Sequence, residues 1–364
     1  MATLDDTFSR LRRWPDVEAD NLFAYDATDR LILDLAAPLL PGSNLAIIGD
    51  NYGALAVGAA VPSRVHQDAL LGELALRANA EGASYTIHEL GRELLAGATL
   101  VLMQLPRSLA ELEEQLDAIA RYADPAVVVI AGGRIKHLTP AINALMLRFF
   151  GQLDVSLAQQ KSRAFTLRAP LPVGDAEFPK TEVHGGLTVA AHGGVFAGTT
   201  IDIGTRLLLT TLPKITIDSG TAIDLGCGSG VLAASIARLK PAMRVIASDQ
   251  SAAAVASARL TTQLNGVADR VEVVRDEGLA LQPDSSADLV LLNPPFHIGA
   301  TVHTGLALRM FDEAARVLRP GGQLWTVFNT HLGYRQALAR SVGPTELVTH
   351  NAKFTVTVST KSSL

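Results

Sequence analysis

Apolar residues along this chain come in short runs of strand length, separated by longer segments with helical spacing. Residues 45–48, 100–105 and 127–130 in the first half read as buried strands, as do 222–225, 245–247, 289–292 and 324–328 in the second. An unbroken apolar run of this size fits a strand covered on both faces. Leu109–Tyr122 and Ala252–Leu264, rich in alanine and leucine, read as helices lying between such strands. The alternation predicts an α/β fold, a mostly parallel sheet with helices on both faces. The proline-bearing stretch 170–179 is the clearest linker.

The pattern occurs twice. Gly49 and Gly53 frame a strand-to-helix turn, as Gly226, Gly228 and Gly230 do later. With Gly53 set on Gly230, Leu105-Pro106 parallels Pro294-Pro295 and Phe165-Thr166 parallels Phe354-Thr355, in the same order and at nearly constant offset. Duplication of one α/β domain follows. A chain of 364 residues is long enough for two full cores. The expected division is a first domain over 1–170, a linker over 171–183 and a second domain over 184–364.

Composition narrows the picture. With 48% hydrophobic and 18% charged residues, the chain is globular rather than disordered. One cysteine, Cys227, excludes a disulfide framework and fits a reducing compartment. The apolar runs are too short to span a bilayer, and Asp5, Asp6, Arg12, Arg13 and Pro15 leave no room for an apolar leader. A cytoplasmic protein without membrane contact is expected. A net charge of −5 means that any nucleic-acid contact must use local basic patches, such as Arg10, Arg12 and Arg13, Arg134 and Lys136, or Lys161, Arg163 and Arg168.

Candidate chemistry concentrates in the second half. Asp224 precedes Gly226, Gly228 and Gly230 directly after a strand and ahead of a helix. Gly226 permits the tight turn, Gly228 lets backbone approach a ligand, and Gly230 lets the helix pack close. The spacing is G-x-G-x-G, and the preceding acid would repel a pyrophosphate but suits a cationic amino-acid cofactor. Asp249, about 20 positions beyond the turn, is placed to accept from a ribose diol. Asp276 ends the next strand, within reach of an adenine amine. Each acid alone would be an ordinary solvated loop residue; three at successive strand ends mark the edge where open α/β sheets bind ligands.

The fourth strand delivers Asn293, Pro294, Pro295 and Phe296. Two prolines remove backbone donors and hold the preceding residues extended. The Asn293 side-chain oxygen and the Pro294 carbonyl are left as rigid acceptors able to hold both hydrogens of an NH₂ group. Phe296 offers a flat face for a planar base or amide. His297 next to it is read as a shape or hydrogen-bonding residue.

These residues resemble class I methyltransferases, and more narrowly the bacterial ribosomal RNA guanine-N2 methyltransferases. Segments 195–209, 320–325, 329–334 and 351–354 carry closer parallels, so the resemblance spans nearly the whole chain. It implies two tandem Rossmann-like methyltransferase domains, each with a mostly parallel seven-stranded sheet. The N-terminal copy would be inactive and serve RNA recognition. It also implies S-adenosyl-L-methionine as cofactor, no metal, ribosomal RNA as partner (naked or in a partly assembled subunit), and action as a monomer. Asn293, Pro294, Pro295 and Phe296 would be catalytic, and Asp224, Gly226, Gly228, Gly230, Asp249 and Asp276 would bind the cofactor. By the family's pattern Phe196, Asp202, Gly204 and Thr205 lie beside that cofactor. The turn from Gly49 to Gly53 and the segment from Gln104 to Arg107 are closer to the large-subunit (23S) enzymes than to the small-subunit (16S) ones.

In the first copy Ile47 stands in place of Asp224 and Asn51 in place of Gly228, while Gln104-Leu105-Pro106 replaces the proline pair. The acid is lost and the turn crowded, so this copy is expected to bind cofactor poorly. Two other functions remain open: methylation of a protein glutamine at N5, or a non-catalytic RNA-binding assembly factor with a relic cofactor pocket.

Overall fold

The computed structural model describes residues 4–295 and 302–362, the side chains of 302–304 excepted. It divides into two compact units, Met1–Phe178 and Pro179–Leu364.

The first unit runs α1 (Leu4–Phe8), α2 (Ala27–Ala36), β1 (Leu45–Ile48), α3 (Ala54–Ala59), β2 (Ser63–His66), α4 (Leu70–Asn79) and β3 (Tyr85–Ile87). It continues with α5 (Arg92–Leu95), β4 (Leu100–Gln104), α6 (Leu109–Tyr122), β5 (Val128–Arg134), α7 (Pro140–Phe149), β6 (Phe150–Val155) and β7 (Ser162–Pro170). The strands form one sheet in the order β3-β2-β1-β4-β5-β7-β6. Pairing is parallel up to β5 and antiparallel for β5 with β7 and β7 with β6.

The second unit opens with a hairpin, β8 (Lys180–His184) and β9 (Leu187–Ala191). Then come α8 (Ile203–Leu209), β10 (Ser219–Leu225), α9 (Val231–Leu239), β11 (Ala242–Asp249), α10 (Ala252–Leu264), β12 (Val271–Arg275) and β13 (Ala287–Leu292). The unit closes with α11 (Val302–Val317), β14 (Leu318–Asn329), α12 (Arg335–Ser341), β15 (Thr345–His350) and β16 (Phe354–Thr360). Its main sheet is ordered β12-β11-β10-β13-β14-β16-β15, the same sequence of positions as in the first unit. The fold is α/β, with two seven-stranded, mostly parallel sheets and helices on both faces.

Strict alternation explains why the central strands read as solid apolar runs. Ala46, Ile48, Val101 and Met103 face one core of the first unit, while Leu45, Ile47, Leu100 and Leu102 face the other. In β10 and β13, Ala222, Leu289 and Leu291 enter one core, and Ile223, Leu225, Val290 and Leu292 the opposite one. A strand covered on both sides needs an apolar residue at every position. Among the described residues, no helix is long and apolar enough to cross a membrane.

The expected linker 171–183 divides, since 171–178 belong with the first unit while Lys180–His184 is the first strand of the second. Pro170, read as the start of the linker, ends β7. The exposed, half-polar pattern of β8 hides it from a search for apolar runs; backbone pairing with β9 supplies its order.

The two glycine turns match residue by residue. Gly49 and Gly226 have φ of 72° and 73°, Asn51 and Gly228 52° and 51°, Gly53 and Gly230 97° and 78°. Asn51 therefore adopts the left-handed conformation that glycine takes in the second unit, a conformation asparagine tolerates better than most residues. Its side chain is exposed, so the turn itself is not crowded. A Cβ at Gly230 would stand 2.9 Å from both Cα and Cβ of Ala258, and at Gly53 2.9 Å from the Leu76 side chain. Gly230→Ala adds a backbone clash to left-handed strain and is expected to cost the second unit about 2–4 kcal/mol in urea unfolding. A loss below about 0.5 kcal/mol would contradict this packing.

Candidate active site

The crevice forms where neighbouring strands leave the sheet. Leu225 pairs with Leu292, so Gly226 and Asn293 emerge side by side at the carboxyl ends of β10 and β13. The crossover after β10 leads to β11 on one side, while β13 lies on the other. A ligand-sized gap opens at such a switch point. Ser248 pairs with Leu225, and the Asp276 amide donates to the Asp249 carbonyl at 3.0 Å. Asp224, Asp249 and Asp276 therefore succeed one another along a single edge.

Asp224 is 1% exposed, and its Oδ2 accepts from the Ala233 amide in the first turn of α9 at 2.8 Å. Gly230 at the helix N-cap has no side chain, so the cap comes from the strand instead. Burial, reinforced by the nearby Asp249 charge and opposed by that one hydrogen bond, pushes the carboxyl up to about 7. Among the described residues, no hydrogen bond reaches its other oxygen. Cys227, inside the turn, is buried and its thiol is pushed up by that burial, which keeps it protonated. Asp249 Oδ2 accepts from the Gly228 amide at 2.9 Å and Oδ1 from the Ser251 amide at 3.0 Å, tying the turn to the start of α10. Asp276 accepts from the Leu281 amide at 2.9 Å, and burial holds it above the usual carboxylate range. Over the turn there is room, since a Cβ at Gly228 would meet nothing within 4 Å and one at Gly226 only Met310 Cε, at 3.4 Å.

Asn293 is held from behind. Its Nδ2 donates to Asp202 Oδ2 at 2.8 Å and to Thr205 Oγ1 at 2.9 Å. Asp202 is the N-cap of α8, accepting from the Gly204 and Thr205 amides. Asn293 Oδ1 is buried, with no hydrogen-bond partner among the described residues. Pro294 is buried and Pro295 exposed. Phe296 and His297 lie outside the described residues. Phe196, between β9 and α8, is 65% exposed. Sequence reasoning grouped Asp202, Gly204 and Thr205 with the cofactor turn. The structure joins Asp202 and Thr205 to Asn293, and a Cβ at Gly204 would stand 3.4 Å from Asn293 Oδ1. Among the described residues, no group of three His, Cys, Asp or Glu side chains is placed to hold a metal ion.

The first unit spends its acids differently. Asp50, fully buried inside the turn, gives both oxygens to α3, accepting from Leu55 and Ala56 amides at 2.6 and 2.9 Å. Ala56 corresponds to Ala233, so an acid within the turn has taken over the capping that Asp224 performs from the strand. Burial raises Asp50 well above its ordinary value. Gln104, at the position of Asn293, donates to Asp29 Oδ1 at 2.6 Å. Asp50 was missed in the sequence because it aligns with Cys227 rather than with Asp224; its position four residues before the helix-opening Ala-Leu was the available signal.

The methyltransferase small domain model matches residues 186–358, and the RLMG N-terminal domain model matches residues 1–170. A ribosomal RNA large subunit methyltransferase G of Streptomyces avermitilis is 37% identical, over 95% of this chain and 95% of its own. The protein of that name from Pseudomonas entomophila is also 37% identical, over 95% of this chain and 96% of its own. Among solved structures, a T. thermophilus 16S rRNA N2 G1207 methyltransferase in complex with AdoMet and guanosine superposes with a TM-score of 0.77. That match covers 93% of each chain at 21% identity, a likeness of fold.

Proposed function

The chain belongs to the family of ribosomal RNA large subunit methyltransferases G, and on that premise we propose that it moves a methyl group from S-adenosyl-L-methionine to the exocyclic N2 amine of a guanine in ribosomal RNA, 23S in preference to 16S. The observation that carries the reading is the buried Asn293 Oδ1, without a partner among the described residues, emerging beside the Gly226–Gly230 turn. A buried acceptor without a donor is costly, and an incoming NH₂ relieves that cost.

The residues present fit the cofactor. The space above Gly228 is open, and Asp224 has an oxygen not taken by the helix. Asp224 would face the amino group, Asp249 the ribose and Asp276 the adenine, with Gly226, Gly228 and Gly230 admitting close backbone approach and Phe196 at the rim. When bound, S-adenosyl-L-methionine supplies a sulfonium methyl that is electrophilic without help from a metal or a protein nucleophile. Asn293 Oδ1 and the Pro294 carbonyl accept the two amine hydrogens. This draws electron density onto the nitrogen, stabilises the positive charge that develops on it, and fixes the direction of its lone pair. Pro294 and Pro295 keep that backbone stiff, and Phe296 offers the base a flat face. A guanine within a helix must leave the stack to enter.

The first unit serves as the non-catalytic, RNA-recognising domain in this reading, with 184–364 as the catalytic one. Both oxygens of Asp50 are consumed by α3, and Ile47 replaces the cofactor-facing acid. A basic group, Arg107, Arg134, Lys136 and His137, gathers beyond β4 and β5, near the carboxyl edge of its sheet. A slight desolvation, and then the charges of Lys136, Arg107 and Arg134, hold the exposed His137 imidazole below its ordinary value. Lys161 and Arg163 follow at the start of β7. Positive charge in that place suits a phosphate backbone.

Transfer of tritiated methyl to deproteinised large- and small-subunit RNA, followed by nucleoside analysis, tests the reading. N2-methylguanosine in 23S RNA is the expected product. Label in protein glutamine, or in no RNA, would overturn it.

A further inference from the structure

We infer that Asp202 and Thr205 are positioning residues that lock the Asn293 amide in one orientation, and that this lock makes the site select a base bearing an NH₂ over one that lacks it. The inference rests on the reading of Asn293 as the amine acceptor.

Which neighbours can donate and which can only accept fixes the orientation of the amide. Asp202 Oδ2 accepts from the Thr205 amide at 3.0 Å and from Thr205 Oγ1 at 2.7 Å. The single hydroxyl hydrogen of Thr205 is thereby committed to Asp202, so toward Asn293 the hydroxyl has only lone pairs to offer. The carboxylate of Asp202 likewise only accepts. Both neighbours demand a donor, and the Asn293 NH₂ supplies its two hydrogens at 2.8 and 2.9 Å. Turning the amide over would set Oδ1 against a carboxylate and a hydroxyl oxygen and would lose both bonds. Oδ1 therefore points the other way, where it is buried without a partner among the described residues.

The lock is itself anchored. Asp202 Oδ1 accepts from the Gly204 amide at 2.8 Å, so the start of α8 fixes the carboxylate that fixes the amide. Gly204 keeps the neighbourhood of Oδ1 clear, since a Cβ there would stand 3.4 Å from it and 3.3 Å from Phe354 Cε1. In the first unit Gln104 donates to Asp29, so bracing a strand-end amide with a helical acid is a property of the duplicated fold. Among the described residues, the buried side-chain oxygens without a partner include Asn293 Oδ1 but not Gln104 Oε1. Bracing is shared; of these two corresponding amides, only that of Asn293 holds a buried acceptor with no donor among the described residues.

The test is binding of guanosine and inosine, which differ in the 2-amino group, to the full chain saturated with S-adenosyl-L-homocysteine and followed by calorimetry. The unaltered protein should prefer guanosine by about tenfold, the worth of a buried hydrogen-bonded donor. Asp202→Asn and Thr205→Val should bring guanosine down to the affinity of inosine while leaving inosine and S-adenosyl-L-homocysteine within about twofold. Thr205→Ser, which restores the hydroxyl, should keep the preference. Because Asp202 also caps α8, the comparison of Val with Ser at 205 decides the matter if Asp202→Asn fails to fold. A preference that survives in Thr205→Val, or guanosine and inosine weakening together, would overturn the lock. No preference in the unaltered protein would instead remove the reading of Asn293 on which the lock rests.

Discussion

Asn293→Ala is expected to slow methyl transfer by about 10²–10³-fold at saturating substrates while leaving S-adenosyl-L-methionine affinity within about threefold. The substitution deletes the buried acceptor but touches neither the glycine turn nor the three acids along the sheet edge. Its stability cost should be small, because Asn293 carries two favourable hydrogen bonds and one buried oxygen unpaired among the described residues, and all are removed together. Asp249→Ala should behave in the opposite sense. It frees the Gly228 amide and removes the proposed ribose acceptor, so cofactor affinity should fall by about 10–100-fold while turnover at saturating cofactor survives. Calorimetric titration and single-turnover rates on both variants separate the two effects. Equal loss of cofactor affinity in the pair would show that turn and acceptor do not divide the work.

Asp224→Asn should stabilise the protein at alkaline pH and impair it as a binder. The buried carboxyl titrates at about 7 in the folded chain, against an ordinary value of 3.8. The folded state therefore holds its proton where the unfolded state has released it. Below about pH 4 both states are protonated and no penalty exists; it grows as pH rises and is complete above about 7. Its full size is on the order of 4 kcal/mol. Asparagine does not titrate and still accepts from the Ala233 amide, though through a weaker, uncharged bond. The net gain at pH 8 should be about 2–3 kcal/mol, shrinking toward zero near pH 4. Binding should move the other way, because an ammonium opposite an amide lacks its counter-charge, and an affinity loss of about 100-fold follows. In the unaltered protein, cofactor binding should weaken about tenfold per pH unit below 7, where Asp224 must first give up its proton. The variant should lose that slope. A lower melting temperature for Asp224→Asn at pH 8, or unchanged affinity, would show that this carboxylate is not held at a cost for the ligand's sake.

That cost suits a binding site. The two units solve the same capping problem at the same helix amide, yet Asp50 is spent wholly on α3 while Asp224 keeps an oxygen back. The difference between a structural acid and one available to a ligand is here a count of hydrogen bonds. It is invisible in an alignment of turns, where Asp50 falls on Cys227.

Much of the architecture was legible without coordinates. Apolar runs located the central strands, because a strand covered on both faces leaves no choice of residue type. Leu109–Tyr122 and Ala252–Leu264 read at their observed bounds, since Ser108 and Ser251 cap them. The half-exposed strands β3, β6, β8 and β15 were not legible. Their order comes from backbone pairing with a neighbour, and backbone pairing leaves no mark on side-chain pattern.

The chain's own order of residues was enough to announce a repeated α/β unit, a glycine turn flanked by acids, and a proline-stiffened asparagine. Each of these is local, written within a few positions by φ preference, donor loss or charge. What folding alone decided is how distant groups share hydrogens. Asp202 and Thr205 stand about ninety residues before Asn293, and only the packing of α8 beside the end of β13 turns three ordinary polar side chains into a clamp. The orientation of an amide depends on which of its neighbours can donate, and that is a property of three-dimensional company rather than of sequence.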